Sequence, residues 1–320
     1  MIAGKQPLDR QTQTLLSPSS AGKRVFPDFL RTADEQTLAR KYDAIQDREM
    51  NRIYPGRNVK QKGFQLMNPL SYDSFRLDRY QDIVPWTHNR VQLKQCGQCD
   101  YINASVIQLE REQRYIASQG PKLSTTAHFW RMVWEEFDHS GVIVMLTKVH
   151  ENGREKCVQY WPDAPNETYQ DEETELRVKL EETSHHDKSD TTIRRLTLRR
   201  GSATQAEEKS IYHLQFEGWP DHAAPPNADT LISLIEIANS FSKDTKTSMI
   251  IHCSAGVGRT GTFITLDYMM RLFRRDAYPS GDPIFNAVDM LRQQRMNMVQ
   301  TFNQFAFIYA TCKKQWLAQR

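Results

Sequence analysis

One stretch in the last third of the chain restricts its possible folds more than any other. The apolar run Met249–Ile251 has the length and composition of a strand that is buried on both faces. A glycine-containing segment, His252–Gly261, comes directly after it. Beyond that segment, Phe263, Leu266 and Met270 repeat at the spacing of one helix face. The stretch therefore predicts a buried strand, a tight loop and a helix that begins at the loop.

A loop in this setting is suited to bind an anion. The first N–H groups of a helix have no partners within it, and the positive end of the helix dipole lies at the same place. Gly256 and Gly258 allow the main chain to curl so that successive amides converge. We expect the equatorial oxygens of a phosphoryl group to bind there. The residues expected to hold them are Ser254, Ala255, Gly256, Val257, Gly258 and Arg259.

Cys253 lies at the mouth of this loop and is the expected nucleophile. The field at the helix N-terminus favours its thiolate form, which can attack phosphorus without an adjacent general base. The planar guanidinium of Arg259 can bind two phosphoryl oxygens at once and stabilise their charge in the transition state. A nucleotide-binding P-loop would need Gly-Lys-Ser/Thr, whereas Arg259 comes after Gly258 here. The pattern favours a phosphoryl-transfer site over a buried structural cysteine.

The remainder of the chain combines strand and helix patterns. Val142–Leu146 is a second apolar run of strand length, and Tyr212, Leu214 and Phe216 alternate like a strand with one buried face. Asp282 followed by proline is typical of a helix start. These elements predict an α/β (α+β) fold in which helices cover a mixed sheet. The polar segment Thr183–Asp190 is expected to be a surface loop between strands.

The N-terminal region differs in character from the rest of the chain. Residues 1–31 are polar and lack periodicity, which predicts a flexible tail. Thr32–Glu35 matches a capping box, so we expect a helix to begin there and to run toward Arg48. The sequence after Arg48 has no second linker or repeat, so residues 32–320 are expected to form a single catalytic domain.

Charge and cysteine usage narrow the class of protein. A net charge of +3 is too small to predict nucleic-acid binding, and no apolar run approaches the roughly 20 residues of a membrane helix. The odd count of five cysteines favours a reducing compartment, cytoplasmic or nuclear. His185–Asp187 and Cys96–Cys99 resemble fragments of metal sites, but neither has a second ligand cluster nearby. We expect a monomer without metal or cofactor.

Several further motifs occur in order along the chain, and with them the chain resembles the tyrosine-specific protein phosphatases from about Arg48 to Trp316. The motifs are Leu77–Asp82, Glu151–Cys157, Trp219–Asp221, Ile251–Gly261 and Gln300–Gln304. The resemblance implies a cysteine-dependent catalytic domain of the non-receptor type, with a highly twisted mixed β-sheet flanked by helices on both sides. It also implies hydrolysis of phosphotyrosine in proteins through a cysteinyl-phosphate. Signalling proteins, kinases among them, are the expected substrates.

The resemblance assigns roles to the acid loop and to the recognition loop. Trp219, Pro220 and Asp221 resemble the mobile loop that carries the general acid, so Asp221 is expected to protonate the tyrosyl oxygen and later to deprotonate water. Tyr80 is expected to form one wall of a deep slot and to stack on the substrate ring. Asp82 is expected to bind substrate N–H groups at the rim.

The resemblance also assigns residues to the second chemical step. Gln300, helped by Gln304, is expected to position the water that hydrolyses the cysteinyl-phosphate. Thr260 can donate a hydrogen bond to the departing sulfur of Cys253, or cap the helix. His252 is expected to be a scaffold residue that bonds loop carbonyls.

Two sets of charged residues are expected near the loop. Glu151 is expected to pair with the guanidinium of Arg259, and Lys156 to approach Asp221 or phosphate. Relatives have a second aryl-phosphate pocket near the positions of Arg292 and Arg295. Since Asn297 stands where some members have glycine, we expect a narrower gateway to that pocket.

Two alternatives share this fold. A catalytically silent phosphotyrosine-binding module would need a lesion at the nucleophile, the arginine or the acid, and Cys253, Arg259 and Asp221 are all present. A dual-specificity phosphatase would have a shallower site, and Tyr80 argues against that. A P-loop kinase, an enzyme of another class, would need a lysine motif that the loop lacks.

Overall fold

The structure is a computed structural model. It describes residues 25–54, 76–94, 99–111, 113–171, 175–201, 206–219, 225, 227–242, 247, 249–276 and 278–319. The helices among them are α1 Asp28–Arg31, α2 Glu35–Ile53, α3 Thr126–Glu136, α4 Ala228–Phe241, α5 Gly258–Arg275, α6 Pro283–Gln294 and α7 Phe302–Ala318.

The strands form one large sheet and one small hairpin. The strands are β1 Arg90–Gln92, β2 Tyr101–Glu110, β3 Gln113–Ser118, β4 Ser140–Met145, β5 His150–Glu151, β6 Arg154–Glu155, β7 Thr168–Asp171, β8 Leu176–His186, β9 Thr191–Arg200, β10 Glu207–Phe216 and β11 Met249–His252. Within the described residues, the large sheet has the order β1-β2-β3-β11-β4-β10-β9-β8-β7. The β3, β11, β4 and β10 strands run parallel, and the outer pairs are antiparallel. The predicted mixed sheet is confirmed.

The central strands are apolar on both faces because helices cover both. Val142 and Val144 of β4 belong to the core beneath α5, α6 and α7, whereas Ile143 and Met145 belong to the core beneath α3. In β11, Ile250 faces the α3 side and its neighbours face the other. Continuous apolar runs therefore predicted doubly covered strands correctly. The C-terminal end of β11, in the middle of the sheet, is where the candidate site begins.

The N-terminal boundary differs from the prediction. Residues 28–31, assigned to a flexible tail, form the short helix α1, whose Phe29 and Leu30 are buried in the core. Helix α2 begins two residues later than the capping box implied, because the carboxylate of Asp34 accepts the N–H of Thr37 at 2.7 Å and takes the N-cap position. Residues 1–24 lie outside the described residues.

Two strand predictions also need correction. The segment 183–190, predicted as a loop, continues β8 as far as His186, because it pairs with β9. Strand β10 was expected to bury one face, but His213 and Gln215 are as buried as Leu214 and Phe216. His213 bonds the hydroxyl of the buried Tyr160, and Gln215 donates to the buried carbonyl oxygen of Thr147. None of the helices in the described residues is long and apolar enough to span a membrane.

Candidate active site

Cys253 stands where β11 ends and the loop to α5 begins. Its side chain is almost buried, at 5% exposure, and lies in the wall of a cleft of about 570 Å³. The N–H of Gly256 points back at its sulfur, with a nitrogen–sulfur distance of 3.3 Å. The predicted strand, loop and helix are all confirmed, and the cysteine lies at the N-terminal end of an 18-residue helix.

The loop can close around an anion because of its backbone at Gly256. This residue has φ of +71°, and a Cβ there would collide with the carbonyl oxygen of Ser118 in β3. Val257, at the N-cap of α5, offers no side-chain cap to the first helical N–H groups. The first N–H groups of a helix lack intrahelical partners, so the start of α5 is where an anion is expected to bind.

Arg259 is held by a buried carboxylate. Its guanidinium donates to both oxygens of Glu151 at 2.7 and 2.8 Å and to the carbonyl oxygen of Leu146 at 3.0 Å. Both side chains are less than one-tenth exposed. Burial acts to raise the pKa of Glu151, but the hydrogen bonds and positive charge of Arg259 outweigh it, so this pKa is lowered. The bidentate pair fixes the plane of the guanidinium.

Arg295 supports the loop from below. It is fully buried and donates to the carbonyl oxygens of Gly256 at 2.9 Å and Ala255 at 3.0 Å. It also donates to Asn103 Oδ1 at 2.7 Å. Burial lowers the pKa of Arg295 to about 10. The C=O and N–H groups of a trans peptide unit point in opposite directions. Because Arg295 holds the carbonyl groups of Ala255 and Gly256 on its own side, the N–H groups of the same peptide units point the other way.

The narrower gateway predicted from Asn297 stays a prediction, but the structure shows where the two nearby arginines lie. Arg292 is 2% exposed and bonded to Glu49 and to main-chain carbonyls. Both guanidinium groups are buried beneath the site and do not face solvent. The main-chain N–H of Asn297 likewise donates to Glu49, at 2.7 Å.

Tyr80 forms one wall of the cleft. Its hydroxyl lies 2.9 Å from Ser254 Oγ, which in turn donates to the carbonyl oxygen of Lys156 at 2.8 Å. This chain of hydrogen bonds links the recognition loop, the phosphate loop and the β6 hairpin. Asp82 lines the same cleft and is exposed at its rim. Lys156 also lines it, but is buried.

The recognition loop is anchored by Asp78 and Arg79, which belong to the motif Leu77–Asp82 but were assigned no role from the sequence. Asp78 accepts hydrogen bonds from Tyr101 at 2.6 Å and Asn103 at 2.9 Å. Arg79 donates to the carbonyl oxygens of Gly120 and Pro121 at 3.0 and 2.7 Å. The aspartate therefore links the recognition loop to Asn103 and, through it, to Arg295. The sequence signal for these anchors was that two charged residues directly precede Tyr80.

Gln300 and Gln304 reach the cleft from the start of α7. Both side chains lie against Gly258, at which an added Cβ would meet Gln304 Oε1 at 2.9 Å and Gln300 Cβ at 3.2 Å. Gln304 also completes a capping box with Thr301, which fixes its orientation. The structure thus brings both glutamines to the N-terminus of α5, close to Cys253.

His252 lies behind the nucleophile, sealed from solvent. Its Nδ1 lies 3.1 Å from the carbonyl oxygen of Cys253, and its Nε2 lies 2.7 Å from the hydroxyl of Tyr160. The same hydroxyl lies 2.8 Å from Nε2 of the buried His213. Burial lowers the pKa of His252 to about 4, although its hydrogen bond to Cys253 acts in the opposite direction. A neutral imidazole at this place fits the predicted scaffold role.

Thr260 and the acid loop complete the set of predicted residues. Thr260 is fully buried, and its hydroxyl has no hydrogen-bond partner among the described residues. It does not cap α5, whose N-cap is Val257. Trp219 is buried at the end of the described part of the acid loop. Pro220 and Asp221 lie outside the described residues.

No metal centre emerges from the part of the chain that the structure describes. It contains no group of three or more His, Cys, Asp or Glu side chains arranged to hold an ion. His185 lies 3.9 Å from Asp187 and 3.6 Å from Asp190, with all three side chains about half exposed or more. Cys96 lies outside the described residues.

Comparison with known proteins decides the family. Residues 75–314, about three quarters of the chain, match the protein-tyrosine phosphatase family model. The chain belongs to the protein-tyrosine phosphatase family, a family of phosphoric monoester hydrolases. Cys253, Arg259, Tyr80, Gln300 and the other described site residues all lie within the matched range.

Curated protein-tyrosine phosphatases are similar over most of this chain. Tyrosine-protein phosphatase 1 of Schizosaccharomyces pombe is 36% identical over 295 residues, 88% of this chain and 52% of that protein. Tyrosine-protein phosphatase 2 of the same yeast is 37% identical over 90% of this chain and 41% of its own length. The chain thus spans about half or less of the length of these relatives.

Solved protein-tyrosine phosphatases have the same fold. The catalytic domain of human protein tyrosine phosphatase non-receptor type 18 superposes with a TM-score of 0.79 at 29% identity, covering 90% of this chain and 99% of that one. A structure titled as PTPN18 in complex with HER2-pY1248 phosphopeptides gives a TM-score of 0.78 at 31% identity, covering 88% of this chain and 99% of that one.

Proposed function

We propose that this chain hydrolyses phosphotyrosine in proteins through a cysteinyl-phosphate on Cys253. One observation carries the proposal. The sulfur of Cys253, the main chain at the start of α5 and the fixed guanidinium of Arg259 all border one cleft. This arrangement combines a nucleophile with a preorganised site for the charge of the transferring phosphoryl group.

In the first step, the Cys253 thiolate attacks phosphorus and the bond to the tyrosyl oxygen breaks. The loop amides and Arg259 stabilise the equatorial oxygens. We assign the proton donor for the leaving oxygen to Asp221, because phenolate departure needs a proton and the Trp219–Asp221 motif precedes the nucleophile in the family's order. Glu151 contributes by keeping the guanidinium of Arg259 in one plane.

In the second step, water attacks the cysteinyl-phosphate and the sulfur–phosphorus bond breaks. Gln300 and Gln304 lie at the start of α5, where their amides can orient this water. Asp221, now a carboxylate, takes the proton. The hydroxyl of Thr260, which has no hydrogen-bond partner among the described residues, is proposed to donate to the departing sulfur.

The depth of the cleft selects the substrate. Tyr80 walls it, and its hydroxyl is tied to Ser254 of the phosphate loop, so the wall is held close to the phosphate site. A phosphoserine is too short to bring its phosphorus to Cys253 from the rim, where Asp82 is placed to bind peptide N–H groups. Lys156 lines the cleft, and we expect it to approach phosphate, or Asp221 when the acid loop closes. These features favour phosphotyrosine specificity over the dual-specificity alternative.

The substrates are proposed to be phosphotyrosine-containing signalling proteins, kinases among them. The complexes of the related PTPN18 with phosphopeptides support this substrate class. The silent binding module is disfavoured because Cys253, Arg259 and Asp221 are intact. The free thiols of Cys157 and Cys312 fit a reducing compartment, cytoplasmic or nuclear.

The proposal is tested with two variants and two substrates. Cys253→Ser should abolish turnover of a phosphotyrosyl peptide but retain its binding, because the amide loop survives. Asp221→Ala should slow hydrolysis of the peptide strongly, and should slow an aryl phosphate with an acidic phenol much less. Normal turnover by Cys253→Ser would exclude the nucleophile, and equal slowing of both substrates would exclude the general acid.

A further inference from the structure

The segment Asn297–Gln300, which joins α6 to α7, has a strained main chain. Asn297 has φ of +58° and Val299 has φ of +57°. A β-branched residue in the left-handed region is a genuine outlier, and it persists only where its surroundings hold it. Because Gln300 comes directly after Val299, the contacts that hold this segment also determine the position of the Gln300 main chain.

Two buried side chains hold the middle of the segment. Glu49 of α2 accepts the N–H of Asn297 at 2.7 Å. Arg292 of α6 donates to the carbonyl oxygens of Met298 and Val299, each at 3.0 Å. Glu49 and Arg292 also pair with each other at 2.8 Å, with side chains 5% and 2% exposed. The strained turn is therefore fixed by a charged pair sealed from solvent.

The end of the segment is held by Tyr42, also from α2. Its hydroxyl donates to the carbonyl oxygen of Gln300 at 2.5 Å. Its ring is packed against Phe302 and Phe305, with centroid distances of 6.1 and 5.6 Å. Arg292 Nη2 lies 3.4 Å from the same hydroxyl. Helix α2 is far from the cleft in sequence, yet it touches the backbone of the residue assigned to position water.

We propose that Tyr42 is a positioning residue for Gln300, and that the Glu49–Arg292 pair keeps the strained turn in the shape that this requires. The inference rests on the proposed function, since it concerns the second step of that reaction. The hydrogen bond to the Gln300 carbonyl fixes the residue's main chain, while its side chain lies against Gly258. Removing that bond leaves the nucleophile and phosphate loop intact but loosens the alignment of water.

The test measures how the cysteinyl-phosphate partitions between water and an added alcohol such as glycerol. Attack by water gives inorganic phosphate, and attack by glycerol gives glycerol phosphate. In each case the oxygen–phosphorus bond forms, the sulfur–phosphorus bond breaks and the nucleophile's proton goes to the general base. Tyr42→Phe should raise the ratio of glycerol phosphate to inorganic phosphate by about 2- to 12-fold, the value of one ordinary hydrogen bond. The ratio does not depend on which step limits turnover.

Tyr309→Phe is the matched control. Tyr309 is a buried tyrosine of α7 whose hydroxyl donates to Asp282 at 2.6 Å. Its loss should lower thermal stability about as much as Tyr42→Phe, but leave the product ratio at the wild-type value. An equal shift in both variants, or no shift in Tyr42→Phe, would overturn the inference.

A further variant, Gln300→Ala, separates the failure of this inference from the failure of the proposed function. If Gln300→Ala raises the ratio and Tyr42→Phe does not, only the role of Tyr42 fails. If Gln300→Ala leaves the ratio unchanged, the proposed role of Gln300 fails. Should Tyr42→Phe not fold, Glu49→Gln carries the same prediction, because it removes the charge opposite Arg292 while keeping an acceptor for Asn297. An unchanged product ratio in Glu49→Gln would refute the proposed role of the Glu49–Arg292 pair.

Discussion

The closure of the phosphate loop should depend on the lack of a side chain at Gly256. Gly153 provides a control position, because a side chain there meets no neighbouring atoms. Gly256 and Gly153 have nearly the same φ, +71° and +72°. A Cβ at Gly256 would collide with the carbonyl oxygen of Ser118, whereas nothing lies within 4 Å of a Cβ at Gly153. Alanine at both sites therefore introduces the same backbone strain but only one collision.

The magnitudes come from these two contributions. A left-handed conformation costs an L-residue about 1–2 kcal/mol, which should be the whole effect of Gly153→Ala. Overpacking costs a further ~1–3 kcal/mol, so Gly256→Ala should lose about 2–5 kcal/mol. The collision involves main chain, so relief must come from movement of the loop itself. A displacement of about 1 Å there should lower kcat/KM by about 100-fold.

Three measurements check this reasoning. Urea unfolding gives the two stability losses, provided that the m value is unchanged. Inhibition by inorganic phosphate reports on the loop directly, and should be much weaker in Gly256→Ala but normal in Gly153→Ala. Steady-state kinetics with a phosphotyrosyl peptide give kcat/KM. If the two variants behaved alike in stability and phosphate affinity, the close approach to Ser118 would not be what shapes the loop.

Three other outcomes are expected. Glu151→Gln should lower the free energy of unfolding by about 3 kcal/mol, because it leaves the guanidinium of Arg259 buried without its counter-charge. The control Glu236→Gln, in an exposed pair with Lys188, should lower it by less than about 1 kcal/mol. Equal losses in urea unfolding would contradict this. Since the pKa of Glu151 is lowered by folding, its stabilisation should be present above pH 4.5 and be lost as pH falls further, a slope that Glu151→Gln should lack. His252 should stay neutral in an NMR titration from pH 7 until about pH 4, so that unfolding becomes easier below pH 6.5; a normal titration would refute its burial.

Local pattern was enough to predict the centre of the molecule. The apolar run of β11, the glycines after it and the helical spacing after Gly258 all lie within one short stretch, so the strand, loop and helix could be predicted together. The pairing of Glu151 with Arg259 was expected from resemblance alone, and the structure brings the two side chains together. Their roles in turnover stay predictions until measured.

Long-range contacts could not be predicted in this way. Arg295 was expected beside a second pocket, but a buried acceptor set from β2 and the phosphate loop draws it beneath the loop. Nothing near Tyr42 in the sequence indicates that its hydroxyl meets Gln300, a separation of 258 residues. The strand content of 183–186 was missed because pairing with β9 overrides polar composition.

The most direct test of the central claim is to find the phosphate on the enzyme. A phosphotyrosyl peptide should be mixed with the enzyme, the reaction quenched in acid during turnover, and the digest analysed by mass spectrometry. We predict one phosphate on the peptide that contains Cys253, and none on that peptide in Cys253→Ser. Phosphate on another residue, or turnover with an unmodified Cys253 peptide throughout, would contradict the account.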